Sequence, residues 1–129
     1  MIVARGDLRT ADVVKASGAT YRQMDYWSTV GLFGPENVEV VSGNRRTFTP
    51  TDVLIAAVVK AVVSMTTDLV SVGRLCQALR EIPVFEWPDS VSITPKGQIV
   101  GKTDDADAVI VVNLARIVER TERCMAGAA

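Results

Sequence analysis

Gly18-Ala19-Thr20 leaves little room between two short segments that both carry helix signals. Ahead of it, Thr10 is placed to cap a helix over Ala11-Asp12-Val13-Val14-Lys15-Ala16-Ser17. Asp12 then falls in the first turn, where the helix dipole favours a carboxylate. Gly18 ends that helix. Thr20 opens the next one, and Gln23 three residues on completes a capping box. The second helix reads Tyr21 to Val30 and stops at Gly31. Two short helices so closely joined form a helix-turn-helix candidate.

The chain that follows alternates turn and strand chemistry. Leu32-Phe33-Gly34-Pro35 is a turn with apolar anchors. Val38-Glu39-Val40-Val41 and Arg45-Arg46-Thr47-Phe48 are strand-like around Ser42-Gly43-Asn44, a hairpin turn that would make a wing. Thr49, Pro50 and Asp52 start a third helix, predicted to about Met65 and apolar nearly all round, hence central to the core. Thr66-Thr67-Asp68 breaks it, and Ser71 is placed to cap a fourth helix to about Ile82, with Val72, Leu75, Cys76 and Leu79 on one face. Pro83 and Pro88 close that helix and mark a linker. A second hairpin follows, Val91–Thr94 and Gln98–Val100 around Pro95-Lys96-Gly97, then a buried strand Val109–Val112. Asn113 caps a last helix to about Met125 with Leu114, Ile117, Val118, Thr121, Cys124 and Met125 on one face. The expected class is α+β, mainly helical. Residues 1–83 form a head of four helices and a hairpin wing, and residues 84–129 a small hairpin, strand and helix unit.

Composition narrows the chemistry. With 129 residues and 48% apolar side chains, the chain is long enough to bury a core. Its most apolar run, Val53–Met65, is too short to span a bilayer and contains Lys60. No secretory leader is visible, so the expected location is the cytoplasm, without membrane contact. There are two cysteines, widely separated, and no histidine. That removes the usual zinc ligand sets and the commonest general base, so neither metal, cofactor nor enzymatic activity is expected. Asp104, Asp105 and Asp107 read as a solvated acidic loop rather than a cation site. The net charge is −1, so any contact with nucleic acid has to come from local placement of cations.

Residues 8–82 resemble the DNA-binding domain of the MerR family. The resemblance rests on Thr20-Tyr21-Arg22-Gln23-Met24-Asp25-Tyr26-Trp27, on the corner Val30-Gly31-Leu32-Phe33-Gly34-Pro35, on Asn44-Arg45-Arg46-Thr47-Phe48-Thr49, and on Val70-Ser71-Val72. It is closest to an actinobacterial or actinophage-like branch with a similar second helix. The long dimerising coiled coil of many members is missing after Pro83, as are the cysteines of metal-sensing members. Asp25 stands where many members carry arginine.

The resemblance implies a winged helix-turn-helix that binds double-stranded DNA. In such a motif the second helix enters the major groove and offers its N-terminal side chains to base edges. Here those are Tyr21, Arg22 and Gln23, with Arg22 suited to guanine and Gln23 to adenine. Tyr26 is the next candidate, through its hydroxyl and a phosphate, whereas Trp27 reads as a core anchor beside Leu32 and Phe33. Arg45 and Arg46 would reach the flanking backbone or minor groove, and Arg9 and Lys15 are further phosphate candidates. So few cations per head point to a homodimer on an inverted-repeat operator, with RNA polymerase as a further partner and the nucleoid as the place of action. The expected function is transcriptional regulation. The alternatives are an architectural protein such as a phage excisionase or recombination directionality factor, and a protein-interaction module without a DNA role.

Overall fold

A computed structural model describes residues 8–33, 47–65, 69–94, 99–100 and 108–127. Among them are five α-helices, a single 3-10 turn and a three-stranded antiparallel sheet. The first helix, α1, spans Thr10–Ser17 and α2 spans Tyr21–Thr29. They are followed by α3 at Pro50–Val62, α4 at Leu69–Arg80 and the 3-10 turn at Val84–Glu86. The sheet comprises β1 at Val91–Ile93, β2 at Ile99–Val100 and β3 at Ile110–Val112, and α5 closes the chain at Leu114–Gly127. None of the described helices is long and apolar enough to cross a membrane.

The core is built around α3, buried continuously from Asp52 to Val59 and again at Val62. Its lack of a polar face has a simple cause: α1, α4, α5 and β3 all pack against it. Thr49 and Asp52 close its N-terminus reciprocally. The Thr49 hydroxyl accepts from the Asp52 N–H at 3.1 Å, and the Asp52 carboxylate accepts from the Thr49 N–H at 3.0 Å. The helix proper stops at Val62, and a last turn carries the chain on to Met65 through the Met65 N–H on the Val62 carbonyl.

The starts of three elements are corrected. Thr10 is the first residue of α1 and Arg9 holds the cap position. The Asp12 carboxylate reaches back three residues to the Arg9 N–H at 2.8 Å, and that bond sets the register; the Arg9 side chain has no acceptor to return it. Ser71 is not a cap either: α4 begins two residues earlier, and Ser71 is buried in its first turn. Finally, the strand read as Val109–Val112 begins at Ile110 and is buried on one face only, since Val111 is 61% exposed. The sheet is antiparallel in the order β2-β1-β3, and such a sheet needs cover on one side only.

The second hairpin pairs Ile93 with Ile99 and Ser92 with Val100, its first arm ending at Ile93 rather than Thr94; residues 95–98, with its turn and Gln98, lie outside the described residues. So do Val38–Val41, Ser42-Gly43-Asn44, Thr66-Thr67-Asp68 and the acidic run Asp104, Asp105 and Asp107. The last helix starts where Asn113 predicts, with its carboxamide oxygen accepting from the Arg116 N–H at 3.0 Å. Its inward stripe is Leu114, Ile117 and Thr121, with Val118 and Met125 partly buried against the core, and Cys124 falls outside it, exposed. That stripe packs on α1 and α3, so helices from both halves of the chain share one hydrophobic cluster.

Candidate nucleic-acid interface

The turn between α1 and α2 uses every residue. Gly18 takes the left-handed conformation, φ 83°, and its N–H bonds the Val14 carbonyl at 3.1 Å, closing α1. Ser17 donates its hydroxyl to the Val13 carbonyl at 2.6 Å and accepts from the Ala19 N–H at 3.2 Å. Ala19 is buried under the turn. Thr20 then accepts from the Gln23 N–H, and the Gln23 amide oxygen accepts from the Thr20 N–H, both at 3.0 Å.

The far end of α2 is equally determined. Gly31 has φ 82°, its N–H bonds the Ser28 carbonyl at 3.2 Å, and the Leu32 N–H bonds the Trp27 carbonyl at 3.0 Å. This is a Schellman closure, and its usual hydrophobic pair is Leu32 and Trp27, both buried. Met24 and Trp27, the latter 3% exposed, hold α2 to the core.

With both ends closed and the inner face anchored, the outer face follows from helix geometry. Tyr21 is 60% exposed, Arg22 is exposed and Tyr26 is 52% exposed; Arg22 and Tyr26, four residues apart, share one face. Gln23 is half-buried, and the capping box already uses its amide oxygen. A bidentate pairing with adenine would need both amide atoms, so that pairing and the box compete. Arg9 and Lys15 are exposed on the cap and last turn of α1. Arg45 and Arg46 lie outside the described residues. The base of that segment is described: Phe33 and Phe48 meet edge to face with ring centroids 5.5 Å apart, and Leu8 and Phe48 form a β-bridge.

The electrostatics of α2 differ from those of the other helices closed at the third position by a side chain. There α1 and α3 carry Asp12 and Asp52, whereas α2 carries the neutral Gln23 and has no acidic residue in its first turn. Its first-turn N–H groups and dipole therefore lie beside Arg22 with no first-turn carboxylate to repel an anion, and the exposed Asp25 stands one turn further along. Among the described residues no group of histidine, cysteine and carboxylate side chains could hold a metal ion.

Sequence reading missed two residues that support this region. Arg80, in the last turn of α4, donates from Nη2 to the Leu32 carbonyl. Trp87 donates its indole N–H to the carbonyls of Leu79 at 2.9 Å and Ile82 at 3.1 Å, capping the end of α4 from the linker. A basic last-turn residue and a linker aromatic give no local sign of such partners.

No curated protein matches the chain. A model of the MerR HTH family regulatory proteins matches residues 8–79, more than half of the chain, and spans the α1–α2 unit, its corner and most of α4. The chain belongs to the MerR helix-turn-helix family of DNA-binding transcriptional regulators.

Proposed function

We propose that this protein is a sequence-specific regulator that binds an inverted-repeat operator as a homodimer. Residues 1–83 read the DNA, and residues 84–129 brace the head and supply the contact between protomers. The supporting observation is the open first turn of α2, with Tyr21 and Arg22 outward on a helix whose inner face is anchored by Met24 and Trp27. Arg22 contacts a base edge, Tyr21 contacts a thymine methyl or phosphate, Tyr26 contacts a phosphate through its hydroxyl, and Gln23 offers its amide N–H while keeping its cap. Arg45 and Arg46 contact the flanking backbone, with Arg9 and Lys15 as outer phosphate contacts. About four to six phosphate contacts per head is too few for tight binding at physiological salt, and two heads double that number.

Selection of bound fragments from a genomic DNA library tests the reading. The expected product is one palindromic site. Arg22→Ala should then lose about tenfold in discrimination at one position of each half-site, within the range of a bidentate base contact. Spreading over tandem sites would favour an architectural role instead. The absence of any saturable site at low salt would overturn DNA recognition altogether.

A further inference from the structure

Arg80 joins two elements that are far apart in sequence. Its Nη2 donates to the carbonyl of Leu32, 48 residues away. Leu32 is the residue at which α2 is closed, because its own N–H bonds the Trp27 carbonyl. Its side chain packs against α4 at Gly73: a Cβ added there would meet Leu32 Cδ2 at 3.4 Å, an ordinary contact distance. The next residue, Phe33, packs on Phe48. The corner after α2 is thus held at a carbonyl by Arg80, at a side chain by α4 and at a ring by Phe48. The end of α4 that carries Arg80 is itself held by the Trp87 indole.

Two details argue against a plain stabilising bond. The Nε of Arg80 is buried and has no hydrogen-bond partner among the described residues, so the guanidinium is kept there at a desolvation cost. An arginine with one nitrogen committed inward and another buried is also poorly placed to grip a phosphate. We infer that Arg80 is a positioning residue for DNA recognition: it locks the corner after α2 to α4 and so sets the direction in which the Tyr21, Arg22 and Tyr26 face points. The inference rests on that face being the one that meets DNA.

Arg80→Met removes the donors and keeps the bulk, and Arg80→Lys keeps a single donor. Hydrogen exchange on the free protein is the first readout. In Arg80→Met the amides of Gly31 and Leu32 should exchange about tenfold faster, the loss expected for a charged hydrogen bond, while Gly18 and Ala19 stay unchanged. The second readout is affinity for fragments selected by the wild-type protein and for unselected DNA. Affinity for selected DNA should fall about tenfold, unselected binding and its salt slope should hold, and Arg80→Lys should recover part of the loss. Equal weakening on both DNAs with a shallower salt slope would make Arg80 a phosphate contact and overturn the inference. So would unchanged corner exchange. If the wild-type protein selects no fragment, the functional reading fails and the exchange comparison alone decides whether Arg80 holds the corner. If Arg80→Met does not fold, Arg80→Lys carries the same comparison, with intermediate acceleration expected and none overturning.

Discussion

Cys76 shows at the residue scale how burial alone can set chemistry. It lies on the inner face of α4, fully buried, and burial pushes its thiol up to about 12 from an ordinary 9.0, with the Arg80 charge opposing weakly. Below about pH 9 the thiol is neutral in both folded and unfolded chain. Between about 9 and about 12 the unfolded chain gives up the proton and the folded one does not, so stability falls as pH rises, by up to about 1.4 kcal/mol per pH unit from this group. Urea denaturation from pH 8 to pH 10.5 should show a steeper decline in the wild-type protein than in Cys76→Ala, where that contribution is missing. Over the same range Cys124, exposed on α5, should take up an alkylating reagent well before Cys76 does.

At the scale of the element, α2 is a nine-residue helix too short to persist alone, and its two end motifs compensate. The neutral partner in its capping box is informative, because Glu would serve the box as well as Gln and would suit the dipole better. Gln23→Glu should therefore leave thermal stability unchanged or raise it slightly. DNA affinity should nevertheless fall several-fold, through repulsion between the new carboxylate and the phosphates. Thermal melts and gel shifts on the same preparation separate the two effects. Equal or tighter DNA binding by Gln23→Glu would mean that the N-terminus of α2 does not face the duplex.

At the scale of the whole molecule, α5 packs on α1 and α3, and the backbone carbonyl of Asp89 ties the linker to it by accepting from the Ala115 N–H at 3.0 Å. The head and the C-terminal unit should therefore unfold together. Ile117, buried on α5, should cost about 2–5 kcal/mol when truncated to alanine, the range for a large core residue. The loss should appear at the same denaturant midpoint in far-ultraviolet circular dichroism and in tryptophan emission, to which Trp27 in α2 contributes. An early helical transition with the emission midpoint unmoved would show α5 to be an independent appendage.

What could be read directly from the chain is local. Gly18-Ala19-Thr20, the Thr20–Gln23 and Thr49–Asp52 pairs, Gly31 and Asn113 all act over three or four residues, so sequence neighbours suffice to place the helix starts, the turn and the outward Tyr21 and Arg22. At Thr10 the register went to the one the Asp12 carboxylate closes on the Arg9 N–H, and at Ser71 the helix starts two residues before the hydroxyl that suggested a cap. The exposure of Val111, the docking of α5 on α1 and α3, and the Arg80–Leu32 bond depend on residues brought together from distant parts of the chain. Pattern and capping encode which segments are helical and which face is apolar, because those depend on spacing along one element. Which apolar face meets which is settled only by mutual burial of several elements at once, and no single segment carries that information.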